Sequence, residues 1–262
     1  MKILVLIKQV PDTTDVKIDP KTNTLKREGV QSIINPFDMY AIEEAIRVKE
    51  KLGEGEVVVI SMGPPQAAEA LKEAISMGCD SAILLSDRKF AGSDTWATSY
   101  TLSQAIRKTG DYCLIFCGKQ ASDGDTAQVG PGISTHLDIP QVTYVKKIEK
   151  IDRKTAVVHR MTEEGFDIVE VPLPAVLTVV KEINEPRLPS LKGKMKAKKA
   201  EIPVWTAETI SCDESRIGLD GSPTRVVKIF TPPPREGGRV LKGEVPEVAK
   251  ELAGLLKDVV IG

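Results

Sequence analysis

The chain has 262 residues, 41% of them hydrophobic, with 36 Lys and Arg against 37 Asp and Glu and a formal net charge of -1. That length suits one large α/β core with at most a second small subdomain, because domains hold roughly 100 to 200 residues. The near-zero charge removes any general electrostatic pull towards nucleic acid or a membrane surface, so a charged partner has to be met by a local patch.

In chain order, MKILVLIKQVPD places only five apolar residues before Lys8. That is too short for a signal-peptide core, and no small-residue cleavage pattern follows. No stretch reaches the roughly 18 apolar residues of a membrane span. The four cysteines, Cys79, Cys113, Cys117 and Cys212, are sparse and mostly in apolar surroundings, and they read as reduced core thiols of a cytoplasmic protein.

Strands and helices alternate through the first half. The runs ILVLI (residues 3–7), EVVVIS (56–61), AILLS (82–86) and CLIFC (113–117) are short and continuously apolar, which suits parallel strands covered on both faces. Asn35-Pro36 reads as a capping side chain before a first-turn proline, ahead of Ile42, Ala45, Ile46 and Leu52. Gly63-Pro64-Pro65 opens a second helix that Gly78 can close, and Ser93 or Asp94 can cap a third. The pattern predicts an α/β fold with a doubly wound, mostly parallel, Rossmann-like sheet.

After Pro140, VTYVKKIEKI, TAVVHRM and FDIVEV read as an added antiparallel meander over about residues 141–171, and PAVLTVV (174–180) returns into the core. Residues 1–183 are thus expected as the core. Residues 184–203, rich in Pro, Gly and Lys and poor in apolar content, read as an extended arm. Residues 204–262 form a C-terminal extension in which TPPPREGG is a turn-rich linker and about residues 247–259 an amphipathic tail helix.

Open α/β sheets bind ligands at the carboxyl ends of their strands, where helix N-termini present free N–H groups. Residues 6–13, 35–38, 61–64 and 118–132 all fall at such ends and together can line one cleft. In GKQASDGDTAQVGPG (118–132) small residues admit a close backbone approach, and Thr126, Ala127, Gln128 and Val129 are expected to form a first helical turn aimed at a phosphate. Asp123 and Asp125 suit capping, ribose hydroxyls or a base edge. Local composition also fits a plain capped helix entry, and both readings stand at this point. Neither GxxxxGK[ST] nor GxGxxG occurs, and no catalytic elbow or metal spacing is present. Two histidines, His136 and His159, read as structural. Redox chemistry here would belong to a bound cofactor. In the lysine run KGKMKAKK (192–199), Leu191 is an apolar residue ringed by charge, suited to anchor an acidic partner.

Taken together, ILVLIKQVPDT, NPFD with AIEEAIRVKE, SMGPPQ, GKQASDGDTAQVG and NEPRLPSLKGKMKAKK resemble the beta (small) subunit of electron-transfer flavoprotein, in order from residue 1 to about 200. The resemblance implies a heterodimer with a larger alpha subunit, for which residues 204–262 include an interface segment. It also implies an adenine-nucleotide-binding core. On this sequence that site uses Leu6, Asn35, Pro36, Phe37, Asp38, Met62, Gly118, Lys119, Gln120, Ala121, Ser122, Asp123, Gly124, Asp125, Thr126, Ala127, Gln128 and Val129. The arm corresponds to the family's recognition loop for the partner dehydrogenase, with Leu191 at the anchoring leucine.

AMP-holding members of the family carry an Asn and a Thr near the positions of Ala127 and Val129. The run DGDTAQVGP is instead similar to members that bind a complete FAD in this subunit and bifurcate electrons from NADH. The expectation is therefore FAD in the cleft and NADH as donor, with an acyl-CoA dehydrogenase or other flavin dehydrogenase and ferredoxin as acceptors. The alternatives are a single-flavin carrier with structural AMP, or a nucleotide-sensing module without redox work.

Overall fold

A computed structural model describes residues 1–12, 18–19, 24–25, 32–227, 238 and 240–260. Thr13 and, apart from Gly238, the expected TPPPREGG linker lie outside them. The chain divides into two units, Met1–Val227 and Lys228–Gly262. In the second, α6 spans Val245–Val260, at the place expected for the tail helix.

The first unit is built on a nine-stranded sheet. Its strands are β1 (Lys2–Ile7), β6 (Glu56–Met62), β7 (Ser81–Leu85), β8 (Leu114–Gly118), β9 (Gln141–Ile151), β10 (Thr155–Met161), β11 (Phe166–Pro172), β12 (Ala175–Val179) and β13 (Val204–Trp205). Their order is β11-β10-β9-β12-β8-β1-β6-β7-β13. Two short pairs stand apart from it, β2 (Gln9–Pro11) with β5 (Ser32–Ile34), and β3 (Ile18–Asp19) with β4 (Thr24–Leu25). All pairs from β13 across to β9 are parallel, and only β9-β10-β11 is antiparallel, so the meander is joined to the core sheet as expected.

The continuous apolar runs are explained by cover on both faces. Ile3, Val5, Val57 and Val59 pack under α1 (Pro36–Leu52) and α2 (Ala68–Met77) through Ile42, Ala45, Leu71 and Ile75. Leu4, Leu6, Val58 and Ile60 pack on the other face against α3 (Thr95–Thr109) and α4 (Val129–Leu137) through Tyr100, Ile106 and Ile133. Asp94 caps α3 by accepting from the N–H groups of Trp96 and Ala97, and Gly78 ends α2 at φ 137. Chain order reverses direction at β1, with β6 on one side and β8 on the other. A topological switch point of this kind opens a crevice at the carboxyl ends of the two strands.

The arm runs without regular structure over residues 184–190 and then forms α5 (Leu191–Lys199), whose N-cap Ser190 accepts from Gly193 N–H at 2.9 Å. Too few apolar residues are present to hold this segment by burial, and polar contacts do the work instead. Arg187 donates to Glu43 at 2.7 Å and to Glu50 at 2.7 Å, both on α1, while Asn184 donates to Glu44 at 2.9 Å. Lys196 reaches the Cys79 carbonyl at 2.9 Å. Gly193 lies so close to α2 that a Cβ there would collide with the Ser76 carbonyl.

Candidate functional site

The crevice is organised by α1. Asp38, in its first turn and 5% exposed, accepts from Lys8 N–H at 2.7 Å and Gly118 N–H at 3.1 Å. One carboxylate thereby joins the ends of the two strands that diverge at the switch point. Burial pushes its carboxyl up to about 7, against the backbone N–H groups of Lys8 and Gly118 and the Asn35 amide, which pull it down. Glycine is required at 118 by this close approach, since a Cβ would come within 2.5 Å of Asp38 Oδ1 and 2.7 Å of Phe37.

Asn35, 1% exposed, was expected to cap α1, yet it makes no cap hydrogen bond. Its side chain reaches the loop after β8 instead, donating to the Gln120 carbonyl at 2.8 Å and accepting from Ser122 N–H at 3.0 Å. The Asp38 N–H, which a capping side chain would otherwise take, bonds the Asn35 backbone carbonyl at 2.8 Å, which leaves the Asn35 amide free for the loop.

Beyond that clamp the loop tightens through Gly124 and Asp125, whose N–H groups both bond the Ala121 carbonyl. Asp125 and Ala127 are left-handed, at φ 54 and φ 55, and Gln120 donates to Asp125. Helix α4 starts only at Val129, so Thr126, Ala127 and Gln128 form its approach and not its first turn. The difference follows from the two left-handed residues, which no α-helical turn contains. The N–H groups of residues 126–129 make no hydrogen bond to any described residue and remain available as donors.

Of the expected site residues, Met62 and Asp123 line one pocket, together with Lys8, Gln9, Val10, Pro11, Ser32, Gly63, Pro64, Gln66 and Ala67. Lys8 and Asp123 pair there at 2.6 Å. Ser61, beneath it at the end of β6, has a buried hydroxyl without a partner among the described residues. Ala127 and Gln128 face a second groove with Pro131, residues 141–144, Arg160 and Val169. Lys119 stands between the rings of Phe37 and Tyr144, 5.7 and 5.2 Å from their centroids. Leu6 is buried in the core beneath the crevice, Pro36 is exposed on the first turn of α1, and Asn35, Asp38, Gly118, Gln120 and Ser122 form the hydrogen-bonded wall.

Lys8 falls in the segment 6–13 chosen from the sequence without being singled out there, and Tyr144 and Arg160, which line the second groove, were not chosen from the sequence. Those two come from the meander, whose alternating pattern signals only a strand. Tyr144, left-handed at φ 58, gives no signal of that in its residue type.

Elsewhere the four cysteines are free thiols. Burial pushes Cys79 up to about 12 and Cys113 and Cys212 up to about 11, which keeps them unreactive. His136 packs against Trp96 and Tyr100, with burial holding its pKa below the usual histidine range, and His159 bonds Glu149 at 2.7 Å. No helix among the described residues is long and apolar enough to cross a membrane.

A doubly wound sheet with small residues and unbonded backbone donors at its switch point defines the class of α/β proteins that hold a ligand at the strand ends. The family model for the electron transfer flavoprotein domain matches residues 22–210. The chain is 55% identical over 253 residues to the electron transfer flavoprotein subunit beta of Thermoanaerobacterium thermosaccharolyticum, covering 96% of each. It is 51% identical over 259 residues to the caffeyl-CoA reductase-Etf complex subunit CarD of Acetobacterium woodii, covering 98% of each. To the protein FixA of Sinorhizobium fredii it is 45% identical over 263 residues, covering 98% of this chain and 92% of that one. The chain therefore belongs to the electron transfer flavoprotein family, as a beta subunit, and a beta subunit implies an alpha-subunit partner.

The residues present fit a phosphate-bearing nucleotide. The N–H groups of residues 126–129, unbonded among the described residues, suit phosphate oxygens, while Lys8, paired with Asp123, lines the neighbouring pocket. Gly124 is the place where the loop has open space, since a Cβ there would meet nothing within 4 Å.

Proposed function

We propose that this chain binds FAD in the crevice, accepts hydride from NADH there, and bifurcates the electrons. One passes by way of an FAD held mainly by the alpha subunit to an acyl-CoA dehydrogenase or related flavin dehydrogenase, and the other to a low-potential acceptor such as ferredoxin. The hydride-accepting and one-electron chemistry belongs to the flavins. The residues of this chain bind and orient. The N–H groups of residues 126–129 take the phosphates, and Asn35 and Asp38 hold the loop and both strand ends in fixed geometry.

The observation that carries the reading is the convergence of the strand-end segments on one switch point, beside backbone donors of residues 126–129 that are unbonded among the described residues. The name of the Acetobacterium woodii relative, a subunit of a caffeyl-CoA reductase-Etf complex, supports a CoA-linked redox partner. Leu191, 78% exposed on α5 among the lysines, supports the arm as the surface that meets it. Anaerobic addition of NADH to the purified heterodimer tests the donor step. Bleaching of the flavin absorbance at stoichiometric NADH is expected, and an unchanged spectrum would remove NADH as donor.

A further inference from the structure

The loop before α4 and the meander enclose a groove of about 370 Å³, within the range of roughly 300–1,000 Å³ that ligand sites occupy. The pocket beside Lys8 is smaller, about 150 Å³. Local backbone shapes the groove. Gly130 lets the start of α4 sit on the end of β12, where a Cβ would come within 2.6 Å of the Thr178 side chain. Pairing of β9 with β12 shifts register between Leu177 and Val179, and there Tyr144, left-handed at φ 58, donates its N–H to the Thr178 hydroxyl at 3.1 Å. A bulge of this kind bends a strand and re-aims its side chains. The loop thus contributes Ala127 and Gln128 to the groove, and the meander contributes Tyr144 and Arg160.

Arg160 continues the face of β10 on which Ala156 and Val158 are buried in the core. It is exposed, and its guanidinium makes no hydrogen bond or ion pair with any described residue, Asp167 opposite it on β11 included. A second cation, Lys119, lies 5.2 Å from the centroid of the Tyr144 ring. Among the described residues, no carboxylate lines the groove. The Lys8 pocket differs in kind, because Lys8 is paired there with Asp123 at 2.6 Å and its charge is already answered. Of the two spaces, the groove is therefore the one with uncompensated positive charge. It is also the one lined by Ala127 and Gln128, whose N–H groups are unbonded among the described residues. A planar guanidinium and backbone amides in one space suit an oxyanion with several acceptor oxygens.

We infer that Arg160 binds the phosphates of the nucleotide, which lie in the groove between the loop and the meander, and that the Lys8 pocket is left to an uncharged part of the ligand. This rests on the proposed nucleotide site but not on the nucleotide being FAD, because AMP also carries a phosphate.

The test is calorimetric titration of ligand-stripped heterodimer with adenosine, AMP, ADP and FAD at two salt concentrations. Arg160→Gln is expected to lose about tenfold in affinity for ADP, together with part of the salt dependence, while its affinity for adenosine stays that of wild type. Arg160→Lys keeps the charge without the planar fork and should fall between the two. An equal loss for adenosine and ADP would make the role structural, and an unchanged ADP affinity would remove Arg160 from the site, so either result overturns the inference. Unchanged ADP affinity with a weakened heterodimer would give Arg160 to an acidic residue of the alpha subunit instead. Should AMP bind and FAD fail to, the cofactor reading falls alone, and AMP against adenosine decides this inference. Should none of the four bind wild type, both fall. Should Arg160→Gln fail to fold, arginine modification of the wild-type heterodimer by phenylglyoxal, mapped by peptide mass, decides it. Protection of Arg160 by ADP and not by adenosine supports the inference, and equal modification with and without ADP overturns it.

Discussion

Asn35 and Asp38 lie three positions apart in NPFD, and each does a job that its residue type announces only in part. Asn35 satisfies a carbonyl and an N–H of the loop after β8. Asn35→Ala strands both, at a cost of about 1–3 kcal/mol, and lowers the midpoint of urea unfolding by the corresponding amount. A midpoint equal to wild type would mean the clamp is replaced by water. Asp38 gives a pH signature. Its folded pKa is raised from 3.8 to about 7, so below about 4 it is protonated in both states and carries no penalty. Between about 4 and 7 the folded state keeps a proton that the unfolded state has lost, so stability falls as pH rises, and above about 7 the penalty is complete. Thermal unfolding of Asp38→Asn should accordingly lack the part of the decline between pH 4 and 7 that wild type shows. Identical pH slopes would contradict the burial argument.

These two residues also mark how far the site was legible. Asn-Pro before an apolar periodicity correctly signals the start of α1, because Pro at N1 is a local preference. That the amide turns away to bond a loop 85 residues on depends on tertiary approach, which no local pattern encodes. The acidic residue in a first helical turn reads as a dipole partner, and its burial at the meeting of two strand ends is visible only once β1 and β8 are known to be neighbours.

At the scale of elements, the arm makes the clearest case. Its composition argues correctly that it cannot fold by its own burial, yet α5 is docked through Arg187, Asn184, Lys196 and the close approach of Gly193 to α2. Glu43, pushed up by burial, is held below the usual carboxylate range by the hydrogen bonds of Arg187 and Arg47 that outweigh it. Arg187→Ala should therefore cost about 1–3 kcal/mol and speed tryptic cleavage at the lysines of α5, and unchanged cleavage would show that the clamp is dispensable. The same docking leaves Leu188, Leu191 and Met195 at 88%, 78% and 58% exposure. A side chain so exposed contributes little to the fold, so Leu191→Ala should keep its flavin and its stability while slowing electron transfer to the partner dehydrogenase about tenfold, a loss typical of an interface anchor. Transfer kinetics equal to wild type would remove Leu191 from the docking surface.

For the molecule as a whole, the sheet was the most legible feature. Continuous apolar runs alternating with helical periodicity admit few topologies once crossovers are right-handed, and the observed order of β7-β6-β1-β8-β12 is one of them. The alternating segments after Pro140 likewise announced an antiparallel addition. The left-handed backbone at Asp125, Ala127 and Tyr144 was hidden, because none of the three is glycine, the residue that signals such a conformation. Helix α4 starts only at Val129, and the N–H groups of residues 126–129, where Ala127 and Gln128 face the groove beside the meander, make no hydrogen bond to a described residue; the cofactor proposal depends on them. The decisive measurement is the ligand content of the native heterodimer, released by denaturation and identified by chromatography and mass. Two FAD per heterodimer are predicted, and one FAD with one AMP would contradict the proposal.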